Sequence, residues 1–166
     1  MAALLLPVWF LSDSATVSAG VYGKKQVSVE RAATIFRKAC LQTATSFAGF
    51  EKALRAYDFF DDGKGLFVDG VHDMALQIWR GEGRVFCTIF YTRPLFLATP
   101  NQSLMNVARQ FTEIGVPLGP FRSSRYDAAT RRYLSPIAKD LTYEHRVMDD
   151  VASGHLMRAV LVTPAK

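Results

Sequence analysis

Met74-Ala75-Leu76-Gln77-Ile78-Trp79-Arg80-Gly81-Glu82-Gly83-Arg84-Val85-Phe86-Cys87-Thr88-Ile89-Phe90-Tyr91-Thr92 is the stretch that decides how this chain folds. Two runs rich in β-branched and aromatic residues flank a short, Gly-containing connection, the signature of an antiparallel hairpin. A three-residue Gly81-Glu82-Gly83 loop with a bulge would pair Arg80 with Arg84 and set Gln77 opposite Cys87. In that reading Trp79, Val85, Cys87, Ile89 and Tyr91 share one face, and Met74, Leu76, Ile78, Phe86 and Phe90 the other. Both faces are apolar, so the hairpin is expected at the centre of the sheet, covered on both sides.

Upstream, Ser28 is placed to cap a helix on which Val29, Ala32, Ile35, Phe36, Ala39 and Cys40 form one apolar stripe. Phe47, Phe50, Leu54 and Tyr57 predict a second helix starting near Ser46. Asp61-Asp62-Gly63-Lys64-Gly65 reads as a turn. Its acidic residues lack the alternate spacing and closing Glu of an EF-hand, and it lacks the Gly-Lys-Ser/Thr ending of a P-loop. Residues 66–71 are expected as a short edge strand. Downstream, a third helix is predicted from Gln102 to Ile114, stopped by Gly115 and Pro117, then a strand at 131–136. A second hairpin joins 141–149 to 155–163. The fold class expected is α+β: a mostly antiparallel sheet of two hairpins plus short strands, with about three helices packed on it. The recurrence of helix, strands, helix, strands suggests an internal duplication, without detectable identity between the halves.

The chain has 166 residues, 49% hydrophobic and 21% charged, which suits one globular domain and excludes a disordered tail. Its net charge of +5 favours anionic partners. The positive charge is mostly dispersed, so nucleic acid is disfavoured as a partner.

Residues 2–11 form an apolar run too short to span a bilayer. A polar stretch ending Val17-Ser18-Ala19 follows, with small residues where signal peptidase requires them. A signal peptide over residues 1–19 is therefore predicted, with 20–166 as a single α+β domain. The run has no Lys or Arg before it, and a buried N-terminal strand over 4–11 is the alternative. No other run is long enough to cross a membrane. In an exported chain the two cysteines, Cys40 and Cys87, predict a disulfide. Their spacing is not that of a zinc or redox motif, and two separate buried thiols are the alternative in a cytosolic chain.

A helix ending Phe36-Arg37-Lys38-Ala39-Cys40, a Phe-rich helix from Phe47 to Tyr57, and a hairpin with Trp79 on one strand and Cys87 on the next resemble small exported proteins of alphaproteobacteria. The resemblance covers roughly residues 28–92. It implies a periplasmic home and one disulfide, and it supplies no catalytic residues.

For chemistry, His145 and His155 lie on the two strands of the last hairpin. A four-residue loop there would pair Asp150 with His155 and His145 with Val160; a slip of one would pair Asp149 with His155. A His–Asp pair of this kind can serve as a general base or be a surface charge pair. His72-Asp73 is a weaker example. No nucleophile elbow and no paired carboxylates accompany them. No metal or cofactor is expected.

The polar stretch of most interest is 121–133, where Phe121, Arg122, Arg125, Tyr126, Arg131, Arg132 and Tyr133 interleave arginines with aromatics. That combination holds phosphates, carboxylates or sugars, and it also guards a sheet edge. Arg122, Arg125, Tyr126, Arg131 and Arg132 are the candidate binding residues. The function expected is a periplasmic or secreted, non-enzymatic domain that binds a protein or anionic ligand. The alternatives are a small hydrolase or transferase using His145 or His155, and an inhibitor or immunity-type protein acting through a loop at 93–101 or 117–127.

Overall fold

The computed structural model describes residues 24–44, 46–93, 100–117, 125–127, 132–138, 141–151 and 154–164. The predicted leader over 1–19, and Arg122 and Arg131, lie outside the described residues.

The first helix, α1 (Val29–Phe36), starts where expected. The Ser28 hydroxyl accepts from the Arg31 amide at 3.1 Å, the side-chain cap that relieves an orphan N–H. Val29, Ala32, Ala33, Ile35 and Phe36 are its buried face. The helix then widens into a π-helical turn, Arg37–Leu41, in which the Gln42 amide bonds to the Arg37 carbonyl. The wider turn keeps both Ala39 and Cys40 buried. Cys40 reaches Cys87 in a disulfide with a Cα–Cα distance of 5.5 Å.

The second helix, α2 (Phe50–Arg55), is shorter than predicted. Phe47 at φ 54° and Gly49 at φ 89° are left-handed, so the chain cannot be helical from Ser46. The third, α3 (Pro100–Glu113), is close to its expected span. Gly115 ends it at φ 90°, where an added Cβ would lie 3.1 Å from an Arg37 guanidinium nitrogen.

Among the described residues, eight strands form one sheet: β1 (Phe59–Asp61), β2 (Leu66–Asp69), β3 (Met74–Gly81), β4 (Arg84–Arg93), β5 (Arg125–Asp127), β6 (Arg132–Ala138), β7 (Leu141–Val151) and β8 (Gly154–Pro164). Their spatial order is β1-β2-β3-β4-β8-β7-β6-β5, and every neighbouring pair is antiparallel. The class is thus α+β, an antiparallel sheet with three helices among the described residues. The short β1 and β5 are the edges, and neither was expected as a strand.

Two registers differ from expectation. The β3–β4 turn is Glu82-Gly83, with both residues at positive φ (51° and 69°), the backbone of a type I′ turn. Gly81 therefore pairs with Arg84, and Cys87 faces Ile78 rather than Gln77. Trp79 falls opposite Phe86 and stacks on it at 3.8 Å, on the face away from Cys87. In the last hairpin Asp150 does pair with His155, but an irregularity between Val147 and Asp149 moves His145 opposite Ala159 instead of Val160.

One face of the sheet carries the main core. Phe67, Leu76, Ile89, Ala159, His145 and Tyr133 follow one another across β2, β3, β4, β8, β7 and β6, and all are buried. Against them pack Ile35, Phe36 and Cys40 from the first helix and its π turn, Phe50 and Leu54 from α2, and Val107, Ala108 and Phe111 from α3. The helices of the described residues thus bury their apolar sides on this one face.

Candidate functional site

The other face is built from the residues one step along each strand. Register places Phe60, Val68, Ala75, Phe90, Arg158, Arg146 and Arg132 in a single cross-strand row from β1 to β6. Val68, Ala75 and Phe90 are buried, together with Thr88, Thr92, Leu156 and Val160 of neighbouring rows. None of these belongs to the helix-covered core cluster. Phe60 and Trp79 stand exposed, at 53% and 43%. The row is graded: apolar across β2–β4, then arginine at three successive paired positions on β8, β7 and β6.

Like charges placed directly opposite one another on neighbouring strands repel. Arg158 Nη2 donates to Glu144 Oε1 at 2.8 Å, with both side chains largely withdrawn from solvent. The Nε of Arg158 is buried and has no hydrogen-bond partner. Neither does the hydroxyl of Thr88, a residue only 1% exposed. Thr88 is two residues before Phe90, the register partner of Arg158. Two orphan polar groups therefore lie at the junction between the apolar and arginine halves of this face. Buried polar groups are nearly always satisfied, so the pair stands out.

The sequence-predicted binding residues divide here. Arg132 takes the register position beside Arg146, and Arg125 that beside Leu134 in the next row, both in rows opposite the face on which the described helices pack. Tyr126 takes the position beside Tyr133, in the row of the main core. Arg146 and Arg158 were not picked out from sequence. They sit singly in alternating strands, and only the pairing of β6, β7 and β8 brings them into line.

The candidate catalytic histidines are placed differently. His145 is fully buried. Its Nε2 lies 2.9 Å from the Tyr91 hydroxyl and its Nδ1 2.5 Å from that of Tyr143. Phe111 packs against its ring edge-on at 5.2 Å. Burial, and then the neighbouring Tyr91 and Tyr133, push the Tyr143 hydroxyl well above its usual titration range, so it stays a neutral hydrogen-bonding group. This is a closed core network of aromatic rings. His155 pairs with Asp150 and with Arg93 in the sheet.

A second polar cluster gathers where the first helix meets β2. Asp69 is buried; Arg31 binds its Oδ2 through Nε at 3.2 Å and Nη2 at 2.8 Å, and His72 Nδ1 lies 3.3 Å away. The Val71 and His72 amides donate to its Oδ1. Burial pushes the Asp69 carboxyl up, but these donors and the guanidinium outweigh it and hold the group below its ordinary value. Next to it, Asp73 accepts from the Lys24 amide at 3.0 Å, and burial leaves its carboxyl raised. Sequence reading had paired His72 with Asp73; the contact is with Asp69. Lys24 and Arg31 thereby join the segment leading into α1, and α1 itself, to Asp69 and Asp73 at the edge of the sheet.

The Asp61–Gly65 stretch is a turn as expected. Asp61 Oδ1 accepts from the Gly63 and Gly65 amides, and Asp62 Oδ1 from those of Lys64 and Leu66. Among the described residues no three His, Cys, Asp or Glu side chains form a metal-binding group, and no helix is long and apolar enough to cross a membrane. Comparison with protein-family models, curated proteins and solved structures finds no match to this chain.

Proposed function

We propose that this chain is an exported domain, periplasmic or secreted, that binds an anionic partner on the sheet face opposite the described helices without acting on it chemically. The observation that carries this reading is the Arg132–Arg146–Arg158 register row. Like charges at directly paired positions repel, and an anion laid across such a row would be held by charge-assisted, two-pronged hydrogen bonds. Arg125 takes a register position in the adjoining row. Export is supported by the Cys40–Cys87 disulfide, since oxidising compartments are where such bonds persist. The leader over residues 1–19 belongs to the same reading.

The test is retention on immobilised heparin, used as a generic polyanion, across a salt gradient. Arg146→Gln with Arg158→Gln is expected to elute at clearly lower salt than the parent. Lys52→Gln with Arg55→Gln, a charge-matched change on exposed α2 positions, is expected to shift much less. Equal shifts for the two double variants would reduce the row to part of the net charge and remove the proposed site.

A further inference from the structure

We infer that Trp79 is the stacking platform of a carbohydrate site near the tip of the β3–β4 hairpin, one that takes a neutral pyranose chain with all-equatorial ring substituents. This site is separate from the arginine row and does not depend on it. Trp79 is 43% exposed, although Ala75, Thr88 and Phe90 on the same sheet face are buried. Register explains the difference. β2 begins at Leu66, which pairs with Gln77, so Trp79 lies past the end of that strand and has a strand neighbour on the β4 side only. That neighbour is Phe86. The two rings are parallel to within 4°, with centroids 3.8 Å apart, so one face of the indole is covered and the other is turned away from Phe86. The edge of the indole is also constrained: a Cβ at Gly81 would lie 3.1 Å from its Cζ3 atom, so the ring rests over a residue without a side chain. Aromatic pairs left to themselves prefer offset or edge-on contacts to so direct a sandwich. Here the sandwich holds a large flat ring out at the surface with one face ready for a ligand.

The surroundings of the indole decide the ligand class. Gln77 and Arg84 hold register positions on the same face. The exposed Asp61–Gly65 turn lies at the end of the sheet where β2 stops short of Trp79. Both signs of charge are present, with Lys64 and Arg84 set against acidic residues of that turn and Glu82 of the hairpin tip, so this end of the sheet does not select an anion. It offers donors and acceptors together, which suits sugar hydroxyls, since each of those does both. A pyranose with equatorial substituents turns its axial C–H bonds toward its two faces, and such bonds meet the negative face of an aromatic ring. A protein or membrane partner calls for a broader apolar patch. Phe60 and Val71, the other large apolar side chains exposed among the described residues, do not extend one. Phe60 is two strands across and two register rows away, and Val71 lies beyond the opposite end of β2.

Trp79 is one of only two tryptophans, the other being Trp9, so Trp9→Phe leaves Trp79 as its own reporter. Cellohexaose, a flat ribbon of all-equatorial pyranoses, is expected to shift Trp79 emission saturably. Maltohexaose has the same composition, but its axial linkages bend the chain away from a ribbon. It is expected to bind at least about tenfold more weakly. By calorimetry Trp79→Leu is expected to weaken cellohexaose binding at least about tenfold, as loss of a central aromatic contact does. Gly81→Ala keeps the indole but sets a methyl group against its edge. It is expected to weaken cellohexaose several-fold while unfolding remains as cooperative as in the parent, which separates loss of the platform from loss of the fold.

No saturable emission change with cellohexaose, equal affinity for maltohexaose, or unchanged binding in either variant would each overturn the inference. So would an emission shift with phosphatidylglycerol vesicles and none with cellohexaose, which would make Trp79 a membrane contact. Arg146→Gln with Arg158→Gln is expected to leave cellohexaose binding unchanged, and Trp79→Leu to leave heparin retention unchanged. The carbohydrate platform and the arginine row can therefore each fail without the other.

Discussion

Asp69 and Asp73 lie four residues apart and respond to pH with opposite signs. The Asp69 carboxyl is held low by its donors and by Arg31, against the opposing push of burial. Its ionised form therefore stabilises the fold at any pH above the unfolded value of about 3.9. That contribution disappears as pH falls through the lowered folded value. Asp73, raised by burial, favours its protonated form. Its contribution is complete below the unfolded value and is lost as pH rises through the folded one. Asp69→Asn is expected to cost about 1–3 kcal/mol at neutral pH, toward the lower end because Arg31 keeps some solvent contact, and much less near pH 2. Asp73→Asn keeps the acceptor for the Lys24 amide and should leave neutral-pH stability unchanged or slightly higher. Urea midpoints against pH check both; a loss from Asp69→Asn as large at pH 2 as at pH 7 would contradict the account. His145 makes a third case. Replacing it with Leu takes hydrogen-bond partners from the Tyr91 and Tyr143 hydroxyls in a closed core, at a cost of about 2–4 kcal/mol. Tyr143→Phe removes one bond and should cost about 1 kcal/mol. Comparable losses from the two variants would mean that His145 does not hold the network together.

At the scale of elements, the π-helical turn after α1 is what brings Cys40 into the core over β4. The disulfide closes a loop spanning 47 residues of separation, and the chain-entropy estimate puts its contribution at about 4 kcal/mol. Cys40→Ala with Cys87→Ala should lower stability by about that amount, as read by urea unfolding. Both sulfurs are fully buried, so in the native protein alkylation by maleimide after mild reductant should proceed only as fast as the protein opens; rapid labelling of both thiols in folded protein would contradict the packing. The cysteine count and the helical stripe that ends on Cys40 made this bond legible in the sequence, and alternation made β3 and β4 legible. The register was not, because Glu82 adopts the left-handed conformation that a two-residue turn demands, and Glu is a poor signal for it. The irregularity near Met148 had the same effect on β7, hiding His145 in the core and leaving Arg146 to meet Arg158. β1 and β5 are too short to show a period. Within the predicted arginine stretch, Arg125 and Arg132 do take register positions on the face opposite the described helices, while Tyr126 falls in the core row, a division that strand parity alone imposes.

The whole molecule is joined at one seam. β4, early in the chain, pairs along its length with β8, the last strand, and this seam unites the β1–β4 half of the sheet with the β5–β8 half. The short edges β1 and β5 leave few unpaired backbone groups at the rims. At the seam, in contrast, Phe90 meets Arg158 on one face and Ile89 meets Ala159 on the other, and β4 depends on β8 to pair its free edge. Loss of β8 would expose a long, apolar, unpaired edge at the centre of the sheet. A chain ending at Val151 is therefore expected to be insoluble or to lack cooperative unfolding, although it retains the helices, both cysteines and seven of the eight strands. Loss of Phe59–Asp61 pairing, by Phe60→Pro in exposed β1, should cost only about 1–3 kcal/mol and leave a cooperative transition. The comparison is made by size-exclusion chromatography and by thermal unfolding followed in the near ultraviolet. Because contacts across the seam join segments so far apart in sequence, folding must close a long loop before the centre of the sheet forms. Conservative truncations at the seam, such as Ile89→Val or Leu161→Ala, should therefore slow refolding as well as lower stability, whereas Phe59→Leu at the edge should mainly speed unfolding. Stopped-flow rates that showed the reverse would place the nucleus in the β1–β4 half, with β8 docking last.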